Sequence, residues 1–400
     1  MSDIGYFFEN LKSGATTSDA ACSINDMVSD GYNLFLSTSN KKIFVVRFFG
    51  NKTTGNEVTW PELNTAPLVP ASTIGLSYTF FSPSVAYPYI FFGNDGYIWG
   101  VSNTYVTKTE IPFSAVGAGL NPTSTSYTSA SSHVSTPCFA GNKIWMLDTV
   151  NYNEQNIKIF DCATNSFTTV PFQAAPQTSR SDVATDGVYV YYTSWNSLGV
   201  VRYNIATNAF DQFIRVNGSP YKIRYCPKNN RMYVASYGGM ISYIDCATGL
   251  VTHVGSFVEQ NALGTVINCD GIIVDFVIDP TGNYIWAIDG TNFSRIEIAT
   301  GKHIFTDVTK DKDYHIDSTA FTSFSFSKLL LMQEVQYQQW NGTSMDNYTA
   351  GPYLVIAHND TAQPKVSFMK LDGKEFYKQN SINATGHTMV SFGIHDYTGE

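Results

Sequence analysis

The sequence predicts an all-β fold, on the evidence of its composition, its turn residues and an internal repeat. Aromatic residues make up 14% of the 400 residues and charged residues another 14%, and that charged fraction is well below the roughly one quarter typical of soluble domains. Thr, Tyr and Phe fit the pleated surface of a strand, and Asn and Gly readily adopt the backbone conformations of tight hairpins. Strands joined by short turns are therefore expected along most of the chain.

A repeated motif consists of an apolar strand, a short turn reading Ala-Thr-Asn or Ala-Thr-Gly, and a second strand. Its four clear copies are spaced by 43, 41 and 52 residues, close to the roughly 40 to 50 residues of a β-propeller blade. The turns are Ala163-Thr164-Asn165, Ala206-Thr207-Asn208, Ala247-Thr248-Gly249 and Ala299-Thr300-Gly301. Another hairpin turn rich in Asn, Asp and Gly precedes each copy, so each unit is expected to contain four strands.

Weaker copies on both sides extend the array to about seven units, and six or eight units also fit the pattern. A single blade cannot bury both of its faces, so the sheets are expected to stack around a closed ring. The sequence thus predicts one domain over 1–400, an all-β propeller with four-stranded blades. The predicted blades are 25–63, 75–115, 131–175, 178–218, 219–259, 268–309 and 318–379, with a closing segment at 380–400. The segments 6–8 and 389–394 are predicted to share one blade and close the ring.

The stretch from Arg231 to Gly249 reads Arg-Met-Tyr-Val-Ala-Ser-Tyr-Gly-Gly-Met-Ile-Ser-Tyr-Ile-Asp-Cys-Ala-Thr-Gly. It resembles the repeat of YVTN-type and NHL-type β-propellers, which runs from a Tyr-Val strand through a Gly/Asn turn to a Val-Ile-Asp strand and an Ala-Thr-Gly turn. The resemblance is clear over about residues 140–305 and implies a propeller fold. It implies no single activity, because such propellers include enzymes, adhesion modules and assembly platforms.

Charge and targeting signals narrow the class of partner. The net charge is −9 and basic residues form no run or stripe, which disfavours nucleic-acid binding. The sequence shows no secretory signal and no apolar run long enough for a membrane helix, so synthesis in the cytoplasm without membrane insertion is expected. Six cysteines without a CxxC pair argue against a zinc site, and most are expected to be buried free thiols.

Linear catalytic motifs are missing, including HExxH, Gly-x-Ser-x-Gly, the Walker loop and GxGxxG. The chain is therefore predicted to be noncatalytic and to need no cofactor. The first alternative is a lactonase-like hydrolase with Ca²⁺ in its channel, which would need oxygen ligands from several blades to converge. The residues available for that role are Glu259, Asn268, Asp275 and Asp289. The acidic segment 307–317 contains interspersed lysines that oppose a cation, which favours a solvated loop there.

Recognition is expected on the face that carries the middle loops and the connections between blades. Length varies there, whereas the first and third turns of each unit stay short, and variable loops on a rigid scaffold commonly bind partners. The variable segments are 115–133, 148–156 and 258–270. An insert at 336–348 carries Tyr337, Trp340 and Tyr348 among amides, and these three are the predicted contacts for a partner or glycan. A second interpretation places Trp340 in the core.

The leading interpretation is a noncatalytic interaction or structural propeller that binds other proteins within an assembly. Low charge, abundant Asn, Ser, Thr and Tyr, and long polar loops are typical of phage virion or tail proteins. Such a protein would bind other virion proteins or a host surface. A carbohydrate-binding propeller is the remaining alternative, and the Trp340 insert is the only feature of the sequence that favours it.

Overall fold

A computed structural model gives the fold of the chain. It describes residues 7–8, 24–29, 33–39, 42–47, 49–50, 78–81, 89–92, 97–102, 105–110, 124–128, 136–151, 154–174, 182–256, 258–260, 266–268, 273–289, 292–301, 303–306, 325–333, 335–340, 345–350, 352–359, 365–370, 375–382 and 388–395. Regular secondary structure within these residues is entirely β-strand, which confirms the all-β prediction. In the same residues, no helical segment has the length and hydropathy that a membrane crossing requires.

Strands follow one another from the first part of the chain to the last. The first part contains β1 (Phe7–Phe8), β2 (Ile24–Ser29), β3 (Asn33–Thr38), β4 (Lys42–Arg47), β5 (Phe49–Gly50) and β6 (Tyr78–Phe81). The middle part contains β7 (Tyr89–Phe92), β8 (Tyr97–Val101), β9 (Tyr105–Glu110), β10 (Ser124–Thr128), β11 (Cys138–Ala140), β12 (Lys143–Asn151), β13 (Glu154–Asp161), β14 (Ser166–Pro171), β15 (Val183–Thr185), β16 (Tyr189–Ser194), β17 (Gly199–Asn204), β18 (Ala209–Arg215), β19 (Pro220–Cys226), β20 (Arg231–Ser236), β21 (Met240–Asp245), β22 (Val251–Ser256), β23 (Val258–Gln260), β24 (Val266–Asn268), β25 (Asp275–Ile278), β26 (Tyr284–Asp289), β27 (Asn292–Glu297) and β28 (His303–Thr306). The last part contains β29 (Ser325–Met332), β30 (Val335–Trp340), β31 (Met345–Ala350), β32 (Tyr353–Asn359), β33 (Lys365–Lys370), β34 (Glu375–Ile382) and β35 (Thr388–His395).

Most of the described strands form seven four-stranded sheets, and the remaining strands form the small sheets β23-β24, β31-β30-β5 and β34-β35. Sheet 1 contains β2, β3, β4 and β6, and sheets 2 to 5 contain β7–β10, β11–β14, β15–β18 and β19–β22. Sheet 6 contains β25–β28, and sheet 7 has the strand order β29-β32-β33-β1. Sheets 1 to 6 keep their strands in sequence order, although β5, which lies between β4 and β6 in the chain, pairs with β30 instead.

The sheets depart from the predicted blades in several places, and strand β10 of sheet 2 lies beyond the end of the predicted blade 75–115. Strand β6 lies in sheet 1, whereas the sequence placed residues from 75 onward in the second blade. Strand β1 pairs with β33, with Phe7 opposite Ser367, whereas the segment 389–394 belongs to β35 and pairs with β34. A short apolar strand can complete any sheet that has an open edge, so its composition alone does not select its partner.

Contacts divide the chain into two compact units. One unit contains residues 89–110 and 123–305 and includes sheets 2 to 6. The other contains residues 1–88, 111–122 and 306–400 and includes sheets 1 and 7. Inside the second unit, Lys328 of sheet 7 lies 3.6 Å from Asp26 of sheet 1, measured from Nζ to Oδ1.

Sheets 3, 4 and 5 of the larger unit bury both faces against neighbouring sheets, because alternate residues of a strand point to opposite sides. In β12, Ile144 and Met146 pack with Trp99 of sheet 2, whereas Trp145 packs with Tyr192 of sheet 4. The same alternation joins sheet 4 to sheet 5 and sheet 5 to sheet 6. Sheets 2 to 6 therefore form one continuous stack.

The Ala-Thr turn of the repeat is shaped by the side chain that precedes it. The Oδ1 atom of Asp161 accepts hydrogen bonds from the backbone N–H groups of Ala163 at 2.9 Å and Thr164 at 3.0 Å. Asn204 in sheet 4 and Asp245 in sheet 5 accept the equivalent pairs. These side chains satisfy N–H groups that the strand ladder leaves without a partner, which is a known role of Asp and Asn at turns.

The last residue of the same turn has a left-handed backbone. The φ angle is 56° at Asn165 and 74° at Gly249, in the region that Asn and Gly enter most easily. The backbone N–H of each donates to the carbonyl four residues earlier, at 2.8 Å in sheet 3 and 2.7 Å in sheet 5. This geometry explains why the last residue of the motif is either Asn or Gly.

Candidate functional site

Three segments of sheets 4 and 5 meet at the side of the larger unit that carries the middle turns. They are the turn 195–198, the connection 216–219 and the turn 237–239, and together they form what we call the three-turn surface. Backbone hydrogen bonds join them, since the N–H of Val216 donates to Leu198 at 3.1 Å and the N–H of Tyr237 donates to Ser219 at 2.9 Å. None of these residues is Asp, Glu, Lys or Arg.

An aromatic cluster stands on this surface. The rings of Trp195 and Tyr237 meet edge to face, with centroids 5.4 Å apart, and the ring of Trp195 lies 6.0 Å from that of Tyr221. Tyr237 is 52% exposed, whereas Tyr221 is buried and its hydroxyl accepts a hydrogen bond from the N–H of Ile273. A buried, hydrogen-bonded ring thus supports a half-buried ring, which in turn supports an exposed one.

The backbone around the cluster is held in uncommon conformations. Leu198 has a φ of 56° although it is neither Gly nor Asn, and such residues cost roughly 1 kcal/mol or more unless their surroundings hold them. The side chain of Leu198 is also 39% exposed. Gly218 has a φ of 76°, and a Cβ atom there would lie 2.5 Å from Cε of Met240. Strained, exposed turns on rigid strands are typical of binding surfaces.

A buried ion cluster links the first strands of sheets 4, 5 and 6. Arg224 of β19 places Nη1 2.5 Å from Oδ2 of Asp182, which precedes β15, and Nη2 2.5 Å from Oδ1 of Asp275 in β25. Both carboxylates are nearly fully buried, and the Arg224 side chain is 26% exposed. The N–H of Ile223 also donates to Asp182 Oδ2 at 3.1 Å. One guanidinium therefore bridges three successive sheets.

Charge balance sets the protonation of this cluster. Burial raises the pKa of Asp182, but the nearby charges of Arg224 and then Lys222 lower it by more, so the pKa lies below its ordinary value. Burial lowers the pKa of Arg224, and the two carboxylates raise it above its ordinary value. Both groups are therefore charged at neutral pH, and the cluster acts as a fixed ionic clamp between sheets.

The residues that the hydrolase alternative requires are distributed over separate elements. Asp275 is paired with Arg224, whose positive charge opposes a cation at the same carboxylate. Glu259 and Asn268 lie on the hairpin β23–β24, and Asp289 pairs with Asn292 where β26 and β27 meet. Among the described residues, no group of three or more His, Cys, Asp or Glu is arranged to hold a metal ion. The acidic segment 307–317 lies outside the described residues.

The predicted contacts at 336–348 lie on a hairpin of strands β30 and β31. Tyr337 stands directly opposite Tyr348, Trp340 pairs with Met345, and β5 adds to β30 as a parallel partner. The side chains of these three aromatic residues lie outside the described part of the structure. The roles predicted for Tyr337, Trp340 and Tyr348 stay predictions.

Each of the variable segments predicted as loops contains strand residues. Segment 115–133 contains β10, segment 148–156 is mostly occupied by the ends of β12 and β13, and segment 258–270 contains the hairpin β23–β24. The Ser- and Thr-rich sequence of β10 lacks an apolar alternation, because its side chains are mostly exposed on the outer strand of sheet 2. Composition alone therefore suggested a loop.

Trp195 and Tyr237 were not among the residues that the sequence singled out. Each directly follows the second strand of its sheet, in the turns Trp195-Asn196-Ser197-Leu198 and Tyr237-Gly238-Gly239. An aromatic residue at this position, in turns without charge, is the signal that could have identified them. Their proximity across two sheets could not be predicted from that signal.

Comparison with known proteins gives no family for this chain. A scan against protein-family models found no match, and a search of curated proteins found no significant relative. Its function is therefore inferred from its sequence and from the geometry of the described residues.

Proposed function

We propose that this chain is a noncatalytic β-propeller that recognises a partner through its middle-turn face. The three-turn surface is the observation that carries this proposal. It combines an exposed ring of Tyr237, a supporting Trp195 and the strained turn at Leu198 on strands that are buried on both faces. A rigid scaffold that presents aromatic side chains in Ser-, Asn- and Gly-rich turns resembles the composition of antibody binding loops.

In this proposal the seven sheets form one closed ring, as the resemblance to YVTN-type and NHL-type repeats implies. The continuous stack of sheets 2 to 6 supports the ring, because sheets 3, 4 and 5 each bury both faces against a neighbouring sheet on either side. The completion of sheet 7 by β1 also supports it, since propellers close by joining the two ends of the chain in one sheet. The ring would be closed by the pairing of β1 with β33.

The preferred setting is a phage virion or tail, where the propeller would bind other virion proteins or a host surface. Its support is the low charge and the polar, aromatic turns. The test is to recover the native protein from its source without denaturation and to measure its size by gradient sedimentation. Co-sedimentation with a particle, and a particle map that places the propeller within it, are the expected results. A monomer that joins no larger assembly would contradict this setting.

The hydrolase alternative makes a different prediction for metal content. A lactonase-like propeller would retain Ca²⁺ in proportion to protein after dialysis, whereas a recognition propeller retains none. The ion pair between Arg224 and Asp275 favours recognition, because a guanidinium that already occupies a carboxylate weakens its affinity for a cation. Elemental analysis of the dialysed full chain discriminates the two, and stoichiometric calcium would favour the enzyme.

A further inference from the structure

We infer that the three-turn surface binds a neutral oligosaccharide, with the ring of Tyr237 as the stacking platform. The inference rests on the proposed recognition function and names the class of ligand for that surface. Sugar rings have apolar C–H faces that pack on aromatic rings, and their hydroxyls exchange hydrogen bonds with amides and hydroxyls. The surface offers both kinds of group within a few residues of one another.

The exposed ring is held in place before any ligand arrives. Tyr237 is 52% exposed, its backbone N–H is bonded to Ser219, and its ring meets Trp195, which packs on the buried Tyr221. A ring that is already ordered loses little conformational entropy on binding. This arrangement favours weak, shallow stacking contacts, which depend on a fixed ring.

The groups around the ring are polar but uncharged. Asn196 and Asn217 have exposed side chains, and Ser197 and Ser219 are partly exposed. None of the eleven residues in the three turns is charged, so the surface lacks the cations that acidic or sulfated sugars require. Arg215, which ends β18 just before the connection, is the nearest charge along the chain. An acidic saccharide probe tests whether Arg215 adds a binding contribution to that of the three turns.

The apolar area of the surface suits a sugar better than a large protein interface. Among the described residues of the three turns, Tyr237 and Leu198 are the exposed large hydrophobic side chains. Specific protein interfaces commonly bury about 1,000 Å² or more around several buried anchors. One exposed ring flanked by amides is a smaller site, and it matches one or two sugar rings.

The test uses the full chain with cellohexaose, maltohexaose and chitohexaose as neutral probes and sialyllactose as the acidic probe. Binding is measured by calorimetry and by saturation-transfer NMR at about millimolar ligand. We expect at least one neutral probe to bind, sialyllactose not to bind, and Tyr237→Ala to weaken binding by about tenfold or more, as for other aromatic stacking platforms. Tyr237→Trp keeps a ring and should keep the binding.

Phe210→Ala is the matched control, because Phe210 is an exposed ring on β18 outside the three turns. Saccharide binding that survives Tyr237→Ala, or that Phe210→Ala removes equally, overturns the inference. Preference for sialyllactose or no binding of any neutral probe does so as well.

A photo-crosslinker at Leu198 then separates the saccharide inference from the proposed recognition function. Crosslinks to protein in the native assembly would preserve the recognition function without the saccharide, whereas no crosslink and no saccharide would remove both.

Discussion

At the level of single residues, three of the four Ala-Thr turns depend on one acceptor that precedes the turn. Asp161, Asn204 and Asp245 all accept hydrogen bonds from the two N–H groups that follow. The hydrogen bond from the Thr164 N–H, with lesser help from Ala163, lowers the pKa of Asp161 below its ordinary value. Asn204 in sheet 4 accepts the same two hydrogen bonds although its side chain is uncharged. The turn therefore requires an oxygen acceptor rather than a negative charge.

Asp161→Ala should therefore lower the free energy of unfolding by about 1 kcal/mol, the usual contribution of a side-chain hydrogen bond. Asp161→Asn retains the acceptor and is expected to lose clearly less than the Ala variant. Urea unfolding of the three proteins at pH 7 measures the difference. Equal losses in the Asn and Ala variants would show that charge, rather than the turn geometry, is what stabilises this position.

Disrupting the ion cluster around Arg224 is expected to lower the free energy of unfolding by more than the Asp161 substitution does. Arg224→Met leaves Asp182 and Asp275 buried without their cation, and breaking a buried pair in this way costs about 3 to 5 kcal/mol at neutral pH. The triple variant Asp182→Asn, Arg224→Met, Asp275→Asn contains no buried charge and should recover much of that loss. Urea unfolding at pH 7 tests both variants. A triple variant as unstable as the single one would mean that Arg224 acts mainly through packing.

The same cluster predicts opposite responses to pH. In the wild type the folded pKa of Asp182 is lowered, so its contribution is present above the unfolded pKa of about 3.9 and is lost as the pH falls through the folded pKa. In Arg224→Met the burial that remains raises that pKa, so protonation stabilises the folded state. The stability gap between variant and wild type should narrow from pH 7 to pH 4. A constant gap would contradict this assignment.

At the level of the element, the sheets share a cation–aromatic pair that the turn motif did not reveal. Lys108 lies over Tyr97 at 3.8 Å in sheet 2, and Arg202 lies over Tyr189 at 4.3 Å in sheet 4. The pair Arg295 and Tyr284 in sheet 6 has the same diagonal register between the second and third strands. In sheet 5 the two residue types exchange strands, with Arg231 over Tyr243 at 3.9 Å.

This exchange permits a swap experiment in sheet 5. Arg231→Tyr or Tyr243→Arg alone removes the cation–π contact, whereas the double variant restores it in the orientation of the other sheets. We expect each single variant to lose stability and the pair to show a favourable coupling of about 0.5 to 1 kcal/mol. Double-mutant urea unfolding measures the coupling. Additive losses would show that the two side chains act independently.

The turn signals predicted elements better than the loop signals did. The Asn- and Gly-rich hairpins of residues 140–301 appear where their φ preferences placed them, because local backbone chemistry decides a tight turn. Strand β10 was missed because this mostly exposed outer strand has little apolar alternation to mark it, and the hairpin β23–β24 was missed because its strands are only three residues long. The aromatic cluster at Trp195 and Tyr237 was missed for a different reason, since it forms only when two sheets pack together.

For the molecule as a whole, the repeat predicted the number of four-stranded sheets but not their strand membership. Seven four-stranded sheets occur among the described residues, in agreement with the number of units in the sequence. The placement of β6 in sheet 1 and the pairing of β1 with β33 depend on contacts between residues far apart in the chain. Local patterns do not contain that information, so the ends of the array were the least predictable part.

A ring of seven sheets that recognises a partner through its middle-turn face is the proposal on which the other expectations depend. The decisive experiment is an experimental structure of the full chain in its native assembly. We predict seven sheets around one axis, β1 hydrogen-bonded to β33, and a partner or glycan in contact with Tyr237. Two separate bodies without a common axis would contradict the ring, and a metal held by converging carboxylates in an open channel would contradict the function.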